Sequence, residues 1–362
     1  MKKIDWYIIK KLIVTFFFCI ILFTLIAVAV DRSEHTEAFV RSGLSSKELI
    51  TEYYYGFIPY IWGLLFPLFV FIAVIYSTSR MAVRSEVVAI LASGTSFNRF
   101  LRPYFIGGLF LASLLYFASR QLLPKGNEIR SNFQVKYIDK TDPIKTNTYQ
   151  DTWYRRSDTN SYVGIKYYDS TNKSASGFFL HRTQNNSVVY NLRAESMKWD
   201  TAKKNWQLVN AVERIITPKG EKITNYPSFN IDLNIKPGDL RQDYYLKDKL
   251  TTPQLIEFIK MEELRGTEGL NTLKVERYRR SATAFSVLLL TLIGAIIASR
   301  KARGGGGLHI ALGFIIAALF IITDRFSTTF SVKGNFPPLL AAWVPNIFFT
   351  VVAIWLYRKS PK

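Results

Sequence analysis

The sequence predicts an α-helical membrane protein with six transmembrane helices and an extracytoplasmic all-β domain, of β-jelly-roll type, inserted between the third and fourth. Three observations carry this expectation. Six windows are apolar and long enough to cross a bilayer. Between the third and fourth, the chain switches to short alternating runs of aromatic and β-branched residues. Lysine and arginine gather in the short connections that fall on one side of the membrane. Composition agrees, because 49% hydrophobic and 15% aromatic residues in a chain of 362 fit a membrane protein with one sizeable polar domain. The 47 Lys+Arg against 27 Asp+Glu give a net charge of +20, which suits an anionic partner: phospholipid headgroups, nucleic acid or an acidic glycolipid. One cysteine, Cys19, lies in an apolar run, so no disulfide framework is expected, and the scattered His35, His181 and His309 suggest no metal site.

Residues 12–30, LIVTFFFCIILFTLIAVAV, are uncharged over 19 positions. At 1.5 Å per residue they span about 29 Å, close to one hydrocarbon core. Met1-Lys2-Lys3 and the Ala27-Val28-Ala29 triplet imitate a signal peptide, but the run exceeds the usual apolar region of one and is rich in Phe, so a retained helix is expected. Further spans are expected at about 57–78, 103–122, 281–299, 308–323 and 338–357. Pro67 and the small residues Gly107, Gly108, Gly294 and Gly313 are tolerable there, where small side chains permit close packing. Lys2, Lys3, Lys10 and Lys11, then Arg80, Arg84, Arg99 and Arg102, then Arg300, Lys301 and Arg303, and lastly Arg358, Lys359 and Lys362 fall on one face. That face is assigned to the cytoplasm, with both termini. Lys274, Arg277, Arg279 and Arg280 lie at the other end of span four, after a long translocated segment where the rule loses force.

Three domains follow: 1–123 with spans one to three, an external β domain at 124–250, and 251–362 with a connecting helix and spans four to six. The β expectation rests on SYVGIKYYD, SGFFLHRT, SVVYNLRAESMKWD and NWQLVNAVERIIT, separated by the turn clusters STNKSAS, TQNNS, TAKKN and TPKGEK. Without cysteine pairs that domain is held by its core alone, for which its length suffices. In TTPQLIEFIKMEELRG, Thr252 reads as an N-cap, Pro253 fits the first turn and Gly266 ends the helix. A second helix from about 270 runs into span four.

The stretch RMAVRSEVVAILASGTSFNR, residues 80–99, sits between spans two and three and resembles neither. On a helical wheel Val83, Val87, Ile90 and Leu91 share one face, Gly94 closes the helix, and Arg84 and Glu86 project elsewhere. The residues alone leave two readings: a helix lying on the bilayer, or one that inserts into a groove on a cytoplasmic protein. The absence of an aromatic anchor between Ser85 and Ser96, together with the acid Glu86, leans towards the second.

The run RSEVVAILASG, residues 84–94, resembles the coupling helix of the LptF/LptG lipopolysaccharide export permeases. The resemblance extends over nearly the whole chain. It takes in the basic start, the end of span one at Val30-Asp31, WDTAKKNWQL (199–208) and the entry to span four at Arg277-Tyr278. GNFPP (334–338) and Pro345 complete it. It implies a permease that pairs with a second LptF/LptG-type subunit around one lipopolysaccharide molecule. A dimeric cytoplasmic ABC ATPase of LptB type would dock on the coupling helices, and the β domain would pass the lipid to a periplasmic LptC/LptA-type bridge. Glu86 would pair with the ATPase, with Arg84, Val87, Val88 and Leu91 packing around it and Gly94 closing the helix. Spans one and five would form the lateral gate. Asp31 matches a family acid, but this chain has Val28 where some members place a lysine one turn earlier. Arg32, Arg277, Arg279 and Arg280 are then the basic side chains expected to meet lipid A phosphates, although headgroup-facing helix ends carry the same residue types. Asp324 and Arg325, at the end of span five, are counted with that gate; as an acid beside a base near the interface they also read as a local pair or simply as the helix end.

RGGGGL (303–308) lacks the Lys-Ser/Thr of a phosphate-binding loop and reads as a flexible turn. With no other nucleotide motif, no cofactor is expected on this chain; a partner ATPase would consume ATP. Glu262-Glu263 and Asp239-Asp243 imply no base, nucleophile or pocket, so no catalytic site is expected. Basic and aromatic residues of the β domain fit nucleic acid, but an extracytoplasmic position argues against it. A membrane-anchored sensor of an envelope ligand is the alternative function. A secondary transporter would want mid-membrane ionisable residues, which these spans almost lack.

Overall fold

The structure is a computed structural model that describes residues 3–139, 148–149, 153–158, 160–169, 172–184, 187–201, 203–218, 220–233, 235–237, 240, 245–264, 266–267, 269–300 and 307–360. Among them, six helical stretches are long and apolar enough to cross a membrane: Lys3–Glu34, Ser46–Val83, Phe97–Ile138, Asn271–Ala298, Gly307–Gly334 and Pro338–Arg358. They are spans one to six. The helices overrun the apolar windows because the helical hydrogen-bond ladder continues into polar sequence wherever no breaker intervenes.

Span three departs most from expectation. Its helix does not stop near residue 122 but continues to Ile138 through a wide π-turn at Ala118–Leu122. Pro124 lacks an N–H and would press on the preceding turn, and a widened turn accommodates both faults. Residues 124–138, read as the start of the β domain, are therefore helical. Ser96 begins this span, its Oγ accepting from Arg99 N at 3.3 Å.

Span four is the most enclosed, with 67% of its apolar window buried, and it is continuous from Asn271, as expected. Small residues bring its neighbours close. A Cβ on Gly108 of span three would stand 3.0 Å from Thr291 Cβ, and one on Gly294 would stand 3.1 Å from Val74 of span two. The chain divides into two compact units. The helical one comprises Met1–Ser131, Lys247–Ile256 and Asn271–Lys362.

The other unit comprises Asn132–Leu246 and Glu257–Leu270. Its described strands are β1 (Thr148–Tyr149), β2 (Trp153–Asp158), β3 (Ser161–Ile165), β4 (Tyr167–Asp169), β5 (Ser174–Gln184), β6 (Ser187–Asp200), β7 (Asn205–Thr217) and β8 (Gly220–Ile231). They form one antiparallel sheet in the order β1-β4-β5-β6-β7-β8, with β3 pairing β5 further along and β2 pairing β3. Period-two alternation puts Phe178, Leu180, Leu192, Trp206 and Leu208 on the buried face. Trp206 is fully enclosed, and its Nε1 donates to the Ile235 carbonyl at 2.7 Å. The alternating runs named above fall on β3 to β7, whereas β8 carries Pro227 and was not singled out. Proline fits here because β8 pairs only with β7 among the described strands. Opposite it, Asn210 takes φ 51°, and the register passes from Val209↔Ser228 to Ala211↔Tyr226.

The connecting helix is Thr252–Leu264. Its cap is Thr251 rather than Thr252: Thr251 N donates to Gln254 Oε1 at 3.0 Å, and the Thr251 carbonyl accepts from Leu255 N. Gly266, at φ 65°, follows its end as expected.

Candidate functional site

Between spans two and three the short helix is Glu86–Ala92. It is set off from span two by Ser85, whose φ of 60° breaks the helical path and leaves Val83 exposed on the end of span two. Gly94 takes φ 84° with open space where a Cβ would stand, and is exposed. Val87 is 1% exposed and shares a buried cluster with Ile8 and Leu12 of span one, while Ile90 and Leu91 pack on that cluster's edge. Arg84, Val88, Ala89 and Ala92 face outward. The helix is amphipathic, then, but Val87 is directed into the chain's own core.

Glu86 is half-buried and is held from span one. Its Oε2 accepts from Tyr7 Oη at 2.9 Å and from Lys11 Nζ at 2.9 Å, and Lys11 Nζ lies 4.2 Å from the centre of the Tyr7 ring. Burial opposes its charge, but the hydrogen bonds from Lys11 and Tyr7, helped by the Lys11 and Arg84 charges, hold its carboxyl below the ordinary glutamate value. Two residues before Tyr7 on span one, buried Asp5 accepts from Arg99 Nη2 of span three at 2.7 Å. Sequence reasoning counted Lys11 and Arg99 only as markers of orientation and passed over Asp5 and Tyr7. The available signal was the i, i+4 spacing of Tyr7 and Lys11 on one helix face, opposite the single acid of the 80–99 stretch.

At the far ends of the spans the other named residues fall into separate groups. Asp31 is 5% exposed; its Oδ1 accepts from Tyr53 Oη of span two at 2.8 Å and lies 3.1 Å from His35 Nδ1, while Oδ2 has no hydrogen-bond partner among the described residues. Arg32 is exposed beside it. On span four, Arg277 lies against the Tyr278 ring, and Arg279 donates to Asp324 Oδ2 of span five at 2.8 Å. Arg280 points inward, donating to Thr252 Oγ1 and to the Lys247 and Leu250 carbonyls at 2.9–3.0 Å. The structure thus brings Arg279, Asp324 and exposed Arg325 together, at a cavity of about 160 Å³ that Phe320, Pro345 and Asn346 also line. Asp31 with Arg32, Arg277, and Arg280 stand apart from that group.

Comparison with known proteins agrees with this architecture. The family model described as lipopolysaccharide export system permease LptF/LptG matches residues 6–359. The lipopolysaccharide export system permease protein LptG of Escherichia coli K12 is 21% identical over 301 residues, covering 82% of each chain. The protein of the same name from an Escherichia coli O6:H1 strain matches to the same extent. A six-span helical chain with a β sheet between its third and fourth spans, matched by this model almost from end to end, belongs to the LptF/LptG family of lipopolysaccharide export permeases.

Proposed function

We propose that this chain is one permease half of an ATP-driven lipopolysaccharide exporter in the bacterial inner membrane, with both termini in the cytoplasm. A second LptF/LptG-type subunit completes the lipid cavity. A dimeric cytoplasmic ABC ATPase consumes the ATP and docks on the outward face of the Glu86–Ala92 helix, around Arg84, Glu86 and Val88. The β unit hands the lipid to a periplasmic bridge. Arg32, Arg277 and Arg325, at the outer ends of spans one, four and five, meet the anionic headgroup, and Asp31 and the Arg279–Asp324 pair set the outer ends of the gate helices.

The distribution of burial carries this reading. Spans one and five, the gate helices of the resemblance, have only 17% of their apolar windows covered by the rest of the chain, against 67% for span four. Apolar faces that a chain leaves uncovered are closed by lipid or by another subunit. Affinity purification from solubilised membranes, with mass identification of everything retained, tests the assembly. A second permease, an ATPase and a lipopolysaccharide are expected; a chain isolated alone, without lipid, overturns the reading. In the same preparation Glu86→Ala is expected to leave the permease folded and to lower the retained ATPase about fivefold or more. Undiminished ATPase stoichiometry and activity would remove Glu86 from docking.

A further inference from the structure

We propose that Tyr7 and Lys11 are positioning residues that carry a push on the Glu86–Ala92 helix directly to span one, so that motor and gate are joined by a side-chain contact as well as by the backbone. The proposal rests on the permease reading above.

The short helix has two covalent neighbours, and a left-handed residue stands between it and each of them. Towards span two the path is broken at Ser85, whose left-handed backbone separates two helical ladders; towards span three lie Gly94, also left-handed, and Thr95. A load applied to the short helix also reaches the bundle through what its side chains hold. Apolar contact alone, from Val87, Ile90 and Leu91, is non-directional and permits sliding. The Glu86 carboxylate supplies direction: Tyr7 and Lys11 converge on one of its oxygens at 2.9 Å, and Lys11 is itself held over the Tyr7 ring.

Both donors belong to span one, not to the spans that flank the short helix in sequence. A second polar tie, Asp5 to Arg99, joins the same end of span one to the first turn of span three. Asp5, Ile8 and Leu12 follow one another at helical spacing and are all buried, so the first three turns of span one are seated by a continuous face against the short helix and the neighbouring spans. Beyond those turns Phe16, Cys19 and Ile20 continue the buried face, while Phe17, Phe18, Ile21 and Leu25 on the opposite face are exposed. Span one is thus joined to the short helix and span three at its inner end and to span two along one face, from the Phe16–Phe66 contact to the Asp31–Tyr53 hydrogen bond, so it moves as one body with its other face open. A displacement of the short helix that keeps the Glu86 contact tilts span one as a whole.

The test uses the complete exporter in lipid nanodiscs, reading retained ATPase, ATP hydrolysis and lipopolysaccharide released per ATP. In the Tyr7→Phe, Lys11→Met double variant, the ATPase is expected to stay bound while lipid released per ATP falls about tenfold, the size of one coupling contact. Lys11→Arg alone, which retains the charge, is expected to keep most of that yield. Unchanged yield in the double variant overturns the proposal. So does loss of the ATPase from it, since Tyr7 and Lys11 would then serve docking. If the parent complex retains no ATPase, the permease reading falls as well, and only that outcome touches it. A second measurement covers a double variant that fails to fold: Tyr7→Cys and Ser85→Cys in a Cys19→Ser background, joined by a flexible bis-maleimide. Linked chains that keep their yield support the proposal. Loss of yield on linking, or failure of the two positions to link, overturns it.

Discussion

Glu86 is a quarter exposed on its side chain, and its partner Lys11 slightly more, so their contact is screened and contributes on the order of 1 kcal/mol or less to stability. Its pH dependence has a definite sign. The folded chain holds the Glu86 proton less tightly than the unfolded chain does, so deprotonation favours folding. The contribution is complete above the ordinary glutamate range and is lost as pH falls through the lowered folded value. Glu86→Gln should therefore melt below the parent at neutral pH, with the gap closing in acid; a gap that widens as pH falls contradicts the Tyr7–Lys11–Glu86 geometry. The shared face of Tyr7 and Lys11 was legible from their spacing, but its partner was not. Glu86 lies 75 residues from Lys11, and a single chain carries no record of which face of span one meets the short helix. Asp5 was similarly hidden, since an acid in a first helical turn is already accounted for by the helix dipole.

Helices were legible where apolar length alone decides, and less so where punctuation residues act in context. Span three is expected to end near residue 122, but Pro124 and Gly126 lie inside its helix. A Cβ on Gly56 of span two would collide with the Gly126 carbonyl and stand 2.6 Å from Arg130 N, so the two spans meet there backbone to backbone. Gly56→Val is expected to force the spans apart and cost about 1–3 kcal/mol, seen as a lower unfolding temperature in detergent. An unchanged melting temperature would show that the approach is not held in the native protein. Strands β3 to β7 announced themselves by alternation, whereas β8 did not: Pro227 argues against a strand unless its position at the edge is already known.

At the scale of the molecule, apolar length and the alternation of the β insert gave the architecture, because hydrocarbon thickness and the pleat each impose a fixed period. The candidate site was only partly legible: charge and topology singled out the 80–99 stretch, but the function attached to it came from resemblance. Exposure of spans one and five leads to a further prediction. With Cys19 replaced by Ser, cysteines at Phe18 and Phe326, exposed at 64% and 63%, should react readily with a lipid-soluble maleimide in the isolated chain. At least one should be shielded in the assembled exporter; equal labelling of both in the two states would place the subunit contact elsewhere. The enclosure of span four has a consequence for biogenesis. The helix that the other spans pack around is made only after the segment carrying the β sheet and the connecting helix, 132 residues by number from 139 to 270, has left the ribosome. At roughly 5–20 residues per second, spans one to three wait in the bilayer for about 7–26 s with the faces meant for span four still open. During that interval the nascent chain is a natural client for whatever chaperones unpaired membrane helices, and slow codons in the insert would lengthen its exposure.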